Sequence, residues 1–247
     1  MRTWFILMIL YPGLQSCSRH DTEQASVPVT TKTYWDPYAL IQEGQTLLSE
    51  GDLVVRLNQD PISLFIKNFN RLDKTYSHAG IVLFDSGHPY IFHMVKGDEN
   101  PDGKMRKDSL GGFCNPRKST AFGIFRYKLK AHELVSLKRL IRKWYEKGVQ
   151  FDTAFDLTTN DRMYCSEMVS KSLAAVTNKR IAIGTTRLSD DEARLFSSHI
   201  RIPFAYASKL SVVAIDDLYK NPFCHTIKEF NYKTGRQAAT GVVANYQ

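Results

Sequence analysis

The chain has 247 residues, of which 43% are hydrophobic and 23% are charged. This composition is ordinary for a globular protein, and the length allows a sizeable core. The formal net charge of +8 suits an anionic partner such as nucleic acid, lipid headgroups or a cell-wall polymer. Because the basic residues are scattered along the chain, we do not expect nucleic acid to be the partner. A solvated surface loop explains the densest basic patch, which is Lys104, Arg106, Lys107, Arg117 and Lys118.

The N-terminus has the features of an export signal. Arg2 precedes a short apolar run over residues 4–10, which is too short for a stable membrane span. Residues 14–17 read LQSC and resemble a bacterial lipobox, in which Cys17 is lipidated and becomes the mature N-terminus. We predict a lipoprotein-type signal peptide over 1–17 and a lipid-anchored protein on the periplasmic side of the cell envelope. A plain signal peptide cleaved nearby is the alternative.

Export bears on the use of the four cysteines, which are Cys17, Cys114, Cys165 and Cys224. If Cys17 carries lipid, three remain, and an odd number outside the cytoplasm leaves at least one free thiol. Cys114 and Cys224 could form a disulfide, but their spacing does not decide it. No pair of cysteines has the close spacing of a zinc or redox motif, so we expect no metal and no cofactor.

The rest of the chain divides by composition and periodicity. Residues 18–36 are polar and aperiodic, which is typical of a flexible tether. Residues 37–232 are predicted to form one domain, and 233–247 a polar tail. Helical spacing of apolar residues predicts helices over 37–50, 63–69, 131–147 and 165–176. A capping-box match at Ser189 and Glu192 predicts the start of a further helix.

Strand patterns fill the intervals between these helices. Alternation and turn residues predict strands over 52–56, 78–84, 90–95, 121–127 and 211–215. The turn at residues 86–89 joins the second and third of these strands into a hairpin. Strands in a run, with helices before and after them, favour the α+β class.

Cys165 is the candidate nucleophile. Polar residues 158–161 precede it and helical periodicity follows it, so it falls in the first turn of a helix. The helix dipole and free backbone N–H groups there favour the thiolate, which is the nucleophilic form. The backbone N–H of Cys165 is also a candidate oxyanion donor. The alternative is that Cys165 is a small buried hydrophobic residue.

A thiol nucleophile needs a base, and histidine is the usual one. Among the seven histidines, His78 opens an apolar strand, where the small residues Ala79 and Gly80 leave room beside it. His93 lies on the neighbouring strand of the predicted hairpin, and side chains on paired strands can touch. We therefore predict that His93 holds the second ring nitrogen of His78, as the third residue of a triad does. Either could instead be an ordinary hydrogen-bonded strand histidine.

Four short runs, in order, carry a resemblance to a known family. Residues 51–56 resemble a GDLVFR opening, and residues 77–81 resemble SHxGI. Residues 151–156 and 164–167 resemble the pattern YDxxFD…YCSE. Together these runs resemble the circularly permuted papain-like cysteine hydrolases of the NlpC type, in the YiiX-like branch.

The resemblance implies a small antiparallel sheet packed against the helix that carries the nucleophile. It assigns Cys165 as nucleophile, His78 as base and His93 to the third position, where the family often has glutamate. A neutral histidine at that position orients the base but adds no negative charge, so the Cys165–His78 ion pair is less favoured. Tyr164 matches the motif and is a candidate for the oxyanion pocket or its wall, with plain packing as the alternative.

These residues predict a thiol hydrolase of the cysteine peptidase or amidase type, acting through a Cys165 acyl-enzyme with His78 as base. The first hypothesis for the substrate is an amide bond in a peptide or a peptidoglycan stem. The second is a lipid acyl-hydrolase or acyltransferase of the same fold, and the third is a non-catalytic envelope protein. Membrane association through the N-terminal lipid and a monomeric state are expected.

Overall fold

The computed structural model describes residues 36–233. The predicted signal peptide over 1–17, its lipidation site Cys17 and nearly all of the predicted tether and tail lie outside these residues. The predicted boundaries of the domain stay a prediction. Within the described part of the chain, no helix is both long enough and apolar enough to cross a membrane.

Ten strands form one large sheet and two small ones. The strands are β1 (Leu53–Asn58), β2 (His78–Asp85), β3 (His88–His93), β4 (Arg106–Asp108), β5 (Ser119–Tyr127), β6 (Gln150–Phe151), β7 (Arg162–Met163), β8 (Thr186–Arg187), β9 (Ser211–Val212) and β10 (Cys224–Asn231). The large sheet is antiparallel, with the order β10-β5-β1-β2-β3-β4. Strands β6 and β7 pair in parallel, and β8 and β9 pair antiparallel.

Eight α-helices accompany these strands in the described residues. They are α1 (Pro37–Leu47), α2 (Pro61–Ile66), α3 (Leu110–Phe113), α4 (Ala131–Lys147), α5 (Cys165–Val176), α6 (Asp190–Ile200), α7 (Phe204–Ala207) and α8 (Ile215–Tyr219). A single 3₁₀ turn, Lys67–Phe69, extends α2. The α+β class predicted from the sequence is confirmed.

Both faces of the large sheet are covered by helices, which is why its central strands are almost continuously apolar. Successive residues of a strand point to opposite faces, and β2 shows the result. Ile81 is buried in the core on the face that packs against α4 and α5. Val82 is buried on the other face, in the core that includes residues of α1 and α3. Helix α5, which begins at Cys165, therefore lies directly on β2, the strand that begins at His78.

The ends of the long helices follow the predicted signals. Helix α4 stops at Gly148, which takes the left-handed conformation (φ 68°) that suits glycine after a helix. Helix α6 begins with the predicted capping box, in which Ser189 and Glu192 exchange hydrogen bonds. Helix α5 spans the same residues as its prediction, and it begins at Cys165.

The structure differs from one strand prediction and contains strands that were not predicted. The strand predicted over 211–215 is wrong after Val212, because Ile215 opens the helix α8. Strands β4 and β10 and the two-residue strands β6, β7 and β8 were not predicted. Strands β4 and β10 are edge strands whose residues are mostly half-buried or exposed, so they lack the apolar alternation that reveals a strand.

Candidate active site

His78 and His93 meet where β2 begins and β3 ends. Nε2 of His78 lies 2.9 Å from Nδ1 of His93, and the two rings are nearly perpendicular. Gly80 allows this approach, because a Cβ there would lie 3.0 Å from Cβ of His93 and 2.4 Å from Cγ2 of Ile91. The side-chain contact between the two histidines, predicted from the hairpin, is therefore present.

Asp108 extends this pair into a chain of three residues. It lies on β4, and its Oδ2 is 2.9 Å from Nε2 of His93, while its Oδ1 accepts a 2.7 Å hydrogen bond from Arg106. The His93 side chain is only 1% exposed and the Asp108 side chain 19%, so the histidine end of this contact is buried. Asp108 was not predicted as a site residue, because it falls in a charged segment with no apolar pattern.

The ionisation of Asp108 decides which nitrogen of each histidine carries the proton. Burial raises the pKa of Asp108, but hydrogen bonds from His93 and Arg106 outweigh it and bring the pKa to about 2. Burial lowers the pKa of His93 to about 4 and that of His78 well below its usual value. At pH 7 both rings are therefore neutral and Asp108 is an anion.

Only one arrangement of protons satisfies both hydrogen bonds. The Asp108 carboxylate can only accept, so His93 donates from Nε2–H and its Nδ1 is then an acceptor. His78 consequently donates from Nε2–H to His93. Nδ1 of His78 is left unprotonated, with its lone pair available as a base.

Cys165 is the first residue of α5 and lines the same cleft as His78 and His93. Its sulfur is near the backbone N–H groups of Ala79, Ser166 and Cys165 itself, which favour the thiolate. Burial has the larger effect and raises the pKa of Cys165 to about 11. The thiolate expected from the helix N-terminus is therefore not the resting form, because desolvation of the charge outweighs the backbone donors.

No hydrogen bond joins the Cys165 sulfur to His78 within residues 36–233. The backbone connects the two residues, because Ala79, whose N–H faces the sulfur, directly follows His78 in the chain. The thiol and the imidazole therefore face one cleft in a neutral resting state.

Tyr164 forms part of the wall of the cleft beside Cys165. Its hydroxyl accepts a 2.9 Å hydrogen bond from the backbone N–H of Val213, and its ring lies 4.8 Å from that of Phe155. Glu167 accepts a hydrogen bond from the backbone N–H of Tyr164 and so caps the start of α5. Ser166 adds a bond from its hydroxyl to the carbonyl of Val213. These contacts fix the position of Tyr164 in the wall of the cleft.

The cleft that holds these residues has a volume of about 1120 Å³ and is lined by both apolar and polar residues. The apolar lining includes Ile62, Ile66, Phe69, Phe155, Phe196, Ile200 and Val212. The polar lining includes Arg56, Asn58, Lys96, Asp98, Glu99, Asn115 and Lys118.

The basic patch noted in the sequence lies beside this cleft and is largely neutralised. Four of its five residues form ion pairs with carboxylates: Lys104 with Asp102, Arg106 with Asp108, Lys107 with Asp85, and Lys118 with Glu99. The patch therefore has little free charge with which to attract an anionic polymer.

Comparisons with known proteins give a fold relationship. No protein-family model and no curated protein sequence matches the chain. Among solved structures, the chain is similar to the crystal structure of the metalloprotein YiiX from Escherichia coli O157:H7, described as DUF1105. The match has 19% sequence identity and a TM-score of 0.59, and covers 72% of this chain and 96% of that one.

The description of that protein as a metalloprotein finds no counterpart in the site formed by residues 36–233 of this chain. Within residues 36–233, no group of three or more His, Cys, Asp or Glu side chains is placed to hold a metal ion. Both ring nitrogens of His93 are engaged in hydrogen bonds, one with His78 and the other with Asp108. The polar atoms of the three side chains therefore point at one another and not at a common centre. The described residues have a YiiX-like α+β fold, and their polar cluster is a hydrogen-bonded chain beside a cysteine.

Proposed function

We propose that the protein is a thiol hydrolase in which Cys165 is the nucleophile and His78 the general base. The observation that carries this proposal is the chain His78–His93–Asp108, which leaves a free lone pair on Nδ1 of His78 in the cleft that Cys165 lines. The order of these residues, and the motifs around them, also support a circularly permuted papain-like relationship.

The neutral resting state favours proton transfer during the attack. A bound substrate places its carbonyl carbon against Cys165, whose proton passes to Nδ1 of His78 as the sulfur–carbon bond forms. The backbone N–H of Cys165 stabilises the oxyanion. His78 is then an imidazolium, which Asp108 stabilises through the intervening His93. The leaving group takes the proton from His78, and water resolves the acyl-enzyme.

An amide in a peptide or peptidoglycan stem is the first candidate substrate. A cysteine–histidine pair is suited to acyl transfer from amides, and the proposed export and lipid anchoring at Cys17 would bring the enzyme to the cell envelope. Incubation of the purified protein with muropeptides is expected to release a new amine. Cys165→Ala is expected to abolish that release, and Cys224→Ala, which removes a half-buried cysteine on the edge strand β10, is expected to preserve it.

A lipid acyl group is the second candidate substrate, and the apolar lining of the cleft favours it. Phe69, Phe155, Phe196 and Ile200 offer a surface on which an acyl chain could be buried, at about 0.8 kcal/mol for each CH₂ group. Turnover of acyl lipids by the wild-type protein, with none by Cys165→Ala, would support this substrate. Equal rates from the two proteins would remove it, and release of amine from muropeptides alone would favour the first candidate.

A further inference from the structure

Arg56 is the charged residue closest in register to the proposed base. It lies on β1 directly opposite His78 on β2, and paired residues of neighbouring strands project from the same face of a sheet. Its side chain lines the cleft together with Cys165. The guanidinium group is also close enough to the sulfur to influence it electrostatically.

Two contacts with Phe113 fix the orientation of Arg56. Nη1 donates a hydrogen bond to the backbone carbonyl of Phe113. The central carbon of the guanidinium lies 4.4 Å from the centroid of the Phe113 ring, and the ring of His78 stacks on the same phenyl group at 5.4 Å. Neither contact offers Arg56 a negative charge. Its Nε is buried and has no hydrogen-bond partner.

No carboxylate in residues 36–233 forms an ion pair with Arg56. Asp60 and Asp108 are close enough to influence it electrostatically. Asp60, however, accepts from the backbone N–H and hydroxyl of Ser63 at the start of α2, and Asp108 is taken up by His93 and Arg106. The two nearby anions are thus already committed to other donors.

The lack of a carboxylate partner distinguishes Arg56 from comparable arginines. Arg106, Arg126 and Arg180 are also partly buried, and each reaches a carboxylate within 2.7 Å. A partly buried cation without a counterion costs free energy. An external anion at this position would remove that cost, and Nη2, the nitrogen that neither donates to Phe113 nor is buried, can donate to an oxygen of a carboxylate or phosphate.

We propose that Arg56 binds an anionic group, a carboxylate or a phosphate, which the substrate carries next to its scissile carbonyl. The inference rests on the proposed function, since it concerns the substrate of the same site. It applies to a peptide with a free carboxylate and to a phospholipid alike, because both can present an anion beside an acyl carbonyl.

Two alkylating agents of nearly equal size test the inference without knowledge of the substrate. Iodoacetate is anionic and iodoacetamide is neutral, and each forms a thioether as the sulfur bonds to the methylene carbon and iodide leaves. The rate at Cys165 is followed by mass spectrometry of its peptide, which separates it from Cys114 and Cys224. N-acetylcysteine gives the ratio of the two rates for a thiol with no protein around it.

We expect the ratio of the iodoacetate rate to the iodoacetamide rate to be higher for wild-type Cys165 than for N-acetylcysteine. Arg56→Gln should lower this ratio about tenfold, because a charge-assisted hydrogen bond contributes a free energy of that size. Arg56→Met, which preserves more apolar volume, is expected to behave in the same way. The matched control is Arg139→Gln, an exposed arginine on α4 that does not line the cleft, and it should retain the wild-type ratio. If neither variant at Arg56 folds, acetate should protect wild-type Cys165 from iodoacetamide where acetamide does not.

The inference is overturned if Arg56→Gln slows both reagents equally, because Arg56 would then act only on the thiolate. It is also overturned if the wild-type protein and N-acetylcysteine give the same ratio of the two rates. In the experiment on the wild-type protein alone, it is overturned if acetate does not protect Cys165 from iodoacetamide. In these cases Cys165 is still reactive and the proposed hydrolase survives. If neither reagent modifies Cys165 in the folded wild-type protein, the proposed function and the inference fall together.

Discussion

Asp108→Asn tests whether the third member of the chain supports catalysis by its charge. The asparagine carbonyl can still accept the hydrogen bond from Nε2 of His93, so the protons on both histidines keep their places. The negative charge is lost, and with it the hydrogen bond that Oδ1 accepts from Arg106. The substitution therefore separates the orientation of the base, which His93 provides, from stabilisation of the imidazolium that forms on His78.

The size of the effect follows from the geometry. Two hydrogen bonds of 2.9 Å and one imidazole ring separate Nε2 of His78 from Oδ2 of Asp108 by about 8 Å, at which two unit charges interact by about 2 kcal/mol with an effective dielectric constant of about 20. We therefore expect kcat to fall roughly 30-fold.

Stability should fall as well, with a defined pH dependence. The difference between the usual Asp pKa of 3.8 and the value of about 2 in the folded protein corresponds to about 2 kcal/mol. Because the folded pKa is the lower one, this stabilisation is present above about pH 4 and is lost as the pH falls through about 2. Urea unfolding at pH 7 and at pH 2.5 should show the gap between wild type and variant shrinking at the lower pH.

The assay is Cys165-dependent hydrolysis of an activated acyl ester, measured at pH 7 on variants with native circular dichroism. Asp102→Asn is the matched control, because Asp102 is an exposed aspartate that pairs with Lys104 and takes no part in the chain of histidines. The role assigned to the carboxylate is refuted if kcat of Asp108→Asn stays within twofold of wild type. It is also refuted if kcat of Asp108→Asn falls no further than kcat of Asp102→Asn.

Three further perturbations follow from the same structure. Because burial raises the pKa of Cys165 to about 11, its alkylation by iodoacetamide should keep accelerating from pH 7 to pH 10, and a plateau below pH 8 would contradict this. Gly80→Ala places a Cβ 3.0 Å from that of His93, so urea unfolding should show a loss of about 1–3 kcal/mol together with lower activity, and an unchanged midpoint would count against the packing described. Asp216→Asn removes a buried carboxylate that accepts from the backbone N–H groups of residues 71–73, which should cost about 2 kcal/mol in thermal or urea unfolding; a variant as stable as wild type would refute that role.

The parts of the site that lie on periodic elements could be predicted from the sequence. The turn at residues 86–89 and the apolar runs around it indicate a hairpin, and the hairpin brings His78 and His93 together. The apolar stripe after Cys165 indicates a helix, and that helix begins at the cysteine. Local pattern is sufficient in these cases because pairing and helical periodicity fix which side chains become neighbours.

The remaining features depend on tertiary contacts that no local pattern reveals. Asp108 belongs to a three-residue edge strand in a charged segment, and only the pairing of β4 with β3 brings it to His93. The pKa of Cys165 was expected to fall at the helix N-terminus, but burial against β2 reverses the shift. Arg56 is one basic residue among many in the sequence, and only the fold shows that no carboxylate in the described part of the chain pairs with it.

The central claim is that Cys165 and His78 form a reaction centre, and trapping the acyl-enzyme tests it most directly. The protein is mixed with an activated acyl ester, quenched in acid, and analysed by mass spectrometry of the intact chain and of its peptides. We predict one acyl group per chain, attached to Cys165, absent from Cys165→Ala and formed far more slowly by His78→Gln. Acylation of another residue, or equal acylation of wild type and Cys165→Ala, would contradict the claim.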